Sequence, residues 1–226
     1  MRFGFPIAAL ALLLVPALGI AAPARDWRTV AAMKPDGAYV VGNPAAKVKL
    51  TEWASYTCSH CAHFSVESEP VLKGQMIRSG STSLEVRHLV RDPLDFAAAT
   101  VVRCGGPRRF AAAHAAVMAA QETWLDKGGT YIRGNAAALQ AMAPEVAARR
   151  LADAAGLTAI ATAQGLTEPR IAACFADKAA TERLLALSGT LPAEVRGTPT
   201  FFVNGTLATG SDWTQLQPQL RAAGAR

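Results

Sequence analysis

The residues with the most chemistry in this chain are Cys58-Ser59-His60-Cys61. Two cysteines three positions apart, where a helix begins, face each other across one turn. They can close a small disulfide ring or act as a dithiol. Cys58 lies at the helix end, where unpaired backbone N–H groups and the helix dipole favour an anion, so its thiolate is stabilised. The more the thiolate is stabilised, the more readily the disulfide accepts electrons. Cys61, one turn deeper, is the resolving thiol, and His60 between them can add positive charge near the sulfurs. Zinc or copper capture competes with this reading, with His60 and His63 as further ligands. Ligands bunched along one helical turn cannot all point at one tetrahedral centre, and no second Cys-x-x-Cys exists in the chain. A metal-binding chaperone using Cys58, Cys61 and His63 stays as the alternative from a different functional class. A purely structural bridge is disfavoured, because a four-residue loop restricts the unfolded chain very little.

The segment that delivers Cys58 alternates cleanly. Val48, Leu50, Ala54 and Tyr56 share one parity and Lys47, Lys49, Thr51 and Ser55 the other, which predicts a strand over 47–56 with one buried face. Glu52 breaks the apolar set six residues before Cys58. A carboxylate on a buried face is costly unless it has a use; the alternative is a solvated acid at a strand edge. From Cys58 a helix is expected to about Arg78, with a kink at Pro70. Residues 38–41 and 84–90 read as strands, and 25–37 as a tether or short helix. From Leu94 to about Ser188 alanine dominates and the helical period takes over. Gly105-Gly106-Pro107 divides two helices, Lys127-Gly128-Gly129 is expected to end the second, and Asn135 and Thr167 to cap later ones. Strand signals return at Gly197: Thr200–Val203, Asn204-Gly205 and Thr206–Ala208 read as a hairpin with a primed turn. A last helix is expected over 212–222. The simplest packing of this order is an α/β layer interrupted by an all-helical block.

Composition limits the function classes. With 51% hydrophobic and 18% charged residues among 226, the chain is too apolar to be disordered. The net charge of +6 is spread rather than clustered, which argues against a nucleic-acid surface. Met1-Arg2, an apolar run from Phe3 to Ile20 and small residues before Pro23 read as an export signal over residues 1–22, cut after Ala21 or Ala22. Pro6 and Pro16 argue against an uncleaved anchoring helix. Export makes disulfides permissible. Cys104 and Cys174, both in the helical block, are therefore expected to bond to each other, the alternative being two separate buried thiols. His88, His114 and the Trp and Met residues read as packing or surface.

Strand, Cys-x-x-Cys at a helix start, helical block and then Gly197-Thr198-Pro199-Thr200-Phe201-Phe202-Val203-Asn204-Gly205 resemble the DsbA-type thiol–disulfide oxidoreductases of the thioredoxin superfamily. The resemblance covers roughly residues 38 to 222. It implies a thioredoxin-like α/β sheet built from 23–93 and 190–226, interrupted by an all-helical insertion at 94–189. It implies a cis peptide bond at Pro199 beside the dithiol, and Thr198 offering backbone groups to an extended substrate segment. The family carries an acid at the spacing of Glu52, which implies a proton acceptor for Cys61. Enterobacterial DsbA has Pro-His between its cysteines and disulfide isomerases often Gly-His, whereas this chain has Ser59-His60. The implied function is a periplasmic oxidase that introduces disulfides into reduced or unfolded exported proteins, with a client-specific reductase or isomerase as the alternative. A quinone-linked membrane oxidase is the implied redox partner, and no cofactor, no metal and no nucleic acid is called for. A monomer is expected, because 22–43 is too short for the dimerisation domain that isomerases add.

Overall fold

The computed structural model describes Met1 and residues 25–226. The apolar run read as an export signal and its expected cleavage positions, Ala21 and Ala22, lie outside the described residues. No helix among the described residues is long and apolar enough to cross a membrane.

The alternating segment forms β3 (Val48–Ala54), with Val48, Leu50 and Ala54 fully buried on one face. It sits inside a six-stranded sheet of order β1-β2-β4-β3-β5-β6. Its neighbours are β4 (Thr82–His88), which is parallel, and β5 (Thr200–Val203), which is antiparallel. A parallel neighbour requires a crossover. That crossover is α1 (Ser59–Ser68) continued by wide π-type turns over Glu69–Ile77. Pro70 opens those turns, so its missing N–H is absorbed by a change of helical pitch where the sequence suggested a kink. β2 (Tyr39–Gly42) joins the far side of β4. The tether expected over 25–37 contains more structure than its polarity suggested. Trp27–Thr29 form a 3₁₀ turn and β1 (Ala31–Met33) pairs antiparallel with β2. Tertiary pairing overrides a weak local pattern here.

Strand ends shift for identifiable reasons. β3 stops at Ala54 because Ser55, Tyr56 and Thr57 leave the sheet to bond elsewhere. β4 starts two residues before the expected Leu84, since Thr82 and Ser83 pair with Val48 and Lys49, and it ends at His88.

Between β4 and β5 lie seven helices: α2 (Pro93–Arg103), α3 (Pro107–Ala119), α4 (Gln121–Gln140), α5 (Pro144–Ala155), α6 (Leu157–Ala163), α7 (Glu168–Ala176) and α8 (Lys178–Gly189). Gly128-Gly129 does not end a helix. The break comes earlier, at Ala120, and α4 runs straight through the glycines. A Cβ at Gly128 would come within 2.7 Å of Leu94 and 3.3 Å of Ala155. The glycine therefore serves close packing of α4 against α2 and α5. Asn135 marks a non-helical residue within α4, and Thr167 stands immediately before α7. After β5, Asn204 and Gly205 both adopt positive φ (52° and 84°), the primed-turn geometry that matches strand twist. The short β6 (Thr206–Leu207) follows, and α9 (Trp213–Ala223) closes the chain, capped by Asp212. Phe64 of α1 stacks obliquely on Phe201 of β5 at 4.4 Å and edge-on against Trp213 of α9. Those contacts fix the start of α1 relative to the start of β5.

Candidate active site

Two chain segments meet above the central strand: the turn after β3 with the start of α1, and the loop leading into β5. Cys58 is the N-cap of α1 in extended conformation, so the first N–H groups of the helix point at its side chain. Cys58 and Cys61 are both free and buried, Cys61 entirely so. From the other segment, the carbonyl of Thr198 stands 3.1 Å from Cys58 Sγ and accepts its hydrogen only when the thiol is protonated. The Thr198–Pro199 peptide is cis, with Pro199 buried.

The two sulfurs are driven apart in acidity. Cys58 is lowered to about 4, chiefly because the Cys61 thiol donates a hydrogen bond to it. Burial opposes this, while the Thr198 side chain and the backbone N–H groups of Cys61 and His60 add to it. Thr198 Oγ1 is buried and has no other partner. Cys61 is pushed far up, first by burial, then by its donation to Cys58 and by the nearby Glu52 carboxylate. At neutral pH the reduced site therefore holds a thiolate at Cys58 and a proton on Cys61.

Glu52 lies in β3 beneath the dithiol, 1% exposed, on the parity that the alternation assigned. Burial raises its pKa to about 8, with Lys73 opposing and the Cys58 charge assisting. One carboxyl oxygen, Oε1, has no hydrogen-bond partner. Lys73, on the π-type turn, lies 2.6 Å from a carboxylate oxygen of Glu69. His60 and His63 both face solvent while Cys61 is buried. Among the described residues no three His, Cys, Asp or Glu side chains are grouped to hold a metal ion, so the ligand set Cys58, Cys61 and His63 does not assemble.

Cys104 and Cys174 are bonded, with Cα atoms 5.6 Å apart. The bridge ties the end of α2 to α7.

The segment Ser55-Tyr56-Thr57 is gripped by residues that sequence reading did not single out. Asp95 of α2 accepts from Ser55 Oγ at 2.5 Å, Tyr56 N at 2.8 Å and Arg91 N at 3.1 Å. Its pKa rises to about 6 because burial outweighs these bonds. Asp92, the cap of α2, accepts from Thr57 Oγ1 at 2.7 Å. His88 and His114 are more than packing. Tyr56 Oη lies 2.9 Å from His88 Nε2 and 2.9 Å from His114 Nδ1, and Arg103 Nη1 lies 3.2 Å from His88 Nδ1. A guanidinium can only donate. His88 Nδ1 therefore accepts, Nε2–H donates to Tyr56, and the Tyr56 hydroxyl donates to His114 Nδ1. Burial keeps both imidazoles neutral, with His114 lowered to about 3 and His88 also strongly lowered. The signal for this chain was Tyr56 itself: a tyrosine on a buried parity needs a partner for its hydroxyl.

The thioredoxin family model matches residues 34–222. A protein-disulfide isomerase from Novosphingobium aromaticivorans is 34% identical, with a TM-score of 0.75 over 83% of this chain and 97% of its own. Alpha-DsbA1 of Wolbachia pipientis, at 20% identity, shares the fold with a TM-score of 0.65 over 81% of this chain and 89% of its own. A Rickettsia bellii protein named as a protein-disulfide oxidoreductase is 28% identical over 74% of this chain, which spans 56% of that relative's length. By its matched span the chain belongs to the thioredoxin family, and with its helices set between β4 and β5 it shares the fold of the Wolbachia alpha-DsbA1 structure.

Proposed function

We propose that this chain is a protein thiol–disulfide oxidoreductase of the oxidase type, acting on reduced or unfolded proteins after export. The observation that carries the reading is the asymmetry of the dithiol, with Cys58 lowered to about 4 while Cys61 keeps its proton. A stabilised Cys58 thiolate is a good leaving group and makes the disulfide form a strong electron acceptor.

The steps follow from that asymmetry. A client thiolate attacks Cys58 Sγ, and the Cys58–Cys61 bond breaks with its electron pair going to Cys61. Glu52, protonated at neutral pH by burial, supplies the proton that Cys61 takes. A second client thiolate then attacks the client sulfur of the mixed disulfide, and Cys58 departs as thiolate. The client is oxidised by two electrons, and the enzyme holds them as thiolate and thiol. When the disulfide is regenerated, Glu52 in its ionised form accepts the Cys61 proton. His60 contributes its backbone N–H to the Cys58 sulfur. Thr198 and Pro199 border the sulfur, where an extended client segment would pair with backbone.

The leader pattern and the Cys104–Cys174 bridge both suit an oxidising compartment such as the periplasm. The redox partner in this reading is a quinone-linked membrane oxidase, and the protein acts as a monomer without cofactor. Isomerase activity is the second reading, favoured by the similarity to the Novosphingobium isomerase. The test is to mix the oxidised protein with a peptide carrying two reduced cysteines, and separately with a protein whose disulfides are scrambled. Rapid one-turnover oxidation of the peptide, with little repair of the scrambled protein, is the expected result. Efficient repair with slow oxidation would overturn the oxidase assignment.

A further inference from the structure

The inserted helices touch the reactive turn directly at one side chain. Gln121 opens α4, immediately after the break at Ala120, and is 5% exposed. Its Nε2 donates to two backbone carbonyls, Tyr56 O at 2.7 Å and Cys58 O at 2.8 Å. Both protons of one amide are thus spent on the two residues that bracket Thr57 in the active-site turn. Trp124 of the same helix donates from Nε1 to Val117 O at 2.8 Å. His114 of α3 adds a second grip through the Tyr56 hydroxyl.

We propose that Gln121 is a positioning residue through which the helical insertion sets the acidity of Cys58. Two physical effects act together. The carbonyl oxygens of Tyr56 and Cys58 carry partial negative charge close to the reactive sulfur, and the amide protons of Gln121 offset it. The same bonds hold Cys58 in its extended cap conformation, which keeps the N–H groups of His60 and Cys61 aimed at Sγ. Other groups acting on Cys58 are Cys61 and His60 of α1, Thr198 of the β5 loop and, below, Glu52 of β3 with Lys73 opposing Glu52. On the carbonyl side of the turn, Cys58 O also accepts the helical N–H of Ala62 at 3.2 Å, and Gln121 is the side chain that bonds both Cys58 O and Tyr56 O. Residue 121 thus joins the function proposed above as part of what makes the thiolate, and it rests on that reading.

Gln121→Met keeps the volume and removes both donors. The test follows thiolate absorbance at 240 nm in the reduced protein as pH is varied, for parent, Gln121→Met and Gln121→Glu. Gln121→Glu retains the shape but offers at most one proton. Trp124→Phe, which removes a buried bond from the same helix without facing the turn, serves as the control for stability alone. The expected result is a Cys58 transition moved up by about one pH unit or more in both Gln121 variants, with Trp124→Phe unmoved. Coincident transitions in parent and folded Gln121 variants would overturn the proposal, as would an equal shift in Trp124→Phe. If Gln121→Met does not fold, Gln121→Glu decides by the same criterion. A parent protein whose Cys58 titrates like an ordinary thiol would instead refute the function proposed above.

Discussion

Replacing Glu52 with glutamine should change how stability depends on pH. An ordinary glutamate titrates at 4.5, whereas Glu52 in the folded protein titrates at about 8. Between those values the unfolded chain has released the proton and the folded chain retains it. Stability therefore falls as pH rises through this window. The slope is about 1.4 kcal/mol per pH unit, giving an upper figure of roughly 3 kcal/mol at pH 7 and a plateau above pH 8. Below 4.5 both states are protonated and the cost vanishes. Glutamine does not titrate, so its stability lacks this descent. It keeps any fixed cost of a buried amide, which is why the slope, and not the level, is the measurement. The assay is urea unfolding of parent and Glu52→Gln with the Cys58–Cys61 disulfide formed, at intervals from pH 4 to 9. Forming the disulfide removes the titration of both cysteines and the minor Cys58 contribution to the shift, leaving burial, its largest cause, and other groups cancel in the difference. The difference should grow between pH 4.5 and 8 and then level off. Parallel curves across that range would show that Glu52 titrates normally and is not desolvated. The same variant should exchange disulfides more slowly, by about a hundredfold, with a flatter pH profile, because Cys61 loses its proton donor and acceptor.

Cys61→Ser should accumulate mixed disulfides with clients through Cys58, visible on non-reducing gels; if trapping requires removal of Cys58 instead, the roles are reversed. Tyr56→Phe leaves His88 Nε2–H and His114 Nδ1 without their shared hydroxyl, and should destabilise by about 2–4 kcal/mol in denaturant. A loss well under 1 kcal/mol would mean that the two imidazoles find other partners. Replacing Cys104 and Cys174 together by alanine opens a link between residues 70 apart and should cost up to about 4 kcal/mol. Unchanged unfolding under non-reducing conditions would contradict that.

Where sequence and tertiary structure divide is visible in particular residues. The strand under the site could be read from the alternation of Val48, Leu50, Ala54 and Tyr56, and Glu52 falls on the buried face where that alternation put it. The start of α1 at Cys58 and the positive φ angles of Asn204 and Gly205 were equally legible. Each is a short-range matter, decided by a two-residue period, a helix end or the backbone freedom of a turn. Gly128-Gly129 misled for the complementary reason. A glycine can end a helix or admit a close neighbour, and only the approach of Leu94 and Ala155 decides between them. β1 was hidden because its pairing with β2, and not its own pattern, makes it a strand.

The electrostatics of the site belong to tertiary structure almost entirely. The sequence by itself determined that a dithiol would stand at a helix end on a buried strand, with a carboxylate on the wrong face beneath it. It could not determine that His88 and His114, 32 and 58 residues from Tyr56, would meet on its hydroxyl, or that Gln121 would reach across 63 residues to Cys58. Hydrogen bonds need partners within about 3 Å, and polar residues far apart in the chain carry no periodic mark of the partner they will find. Only when the helices between β4 and β5 fold back over the turn do those groups lose water, and desolvation is what pushes Glu52 up and compels each buried polar atom to find a partner.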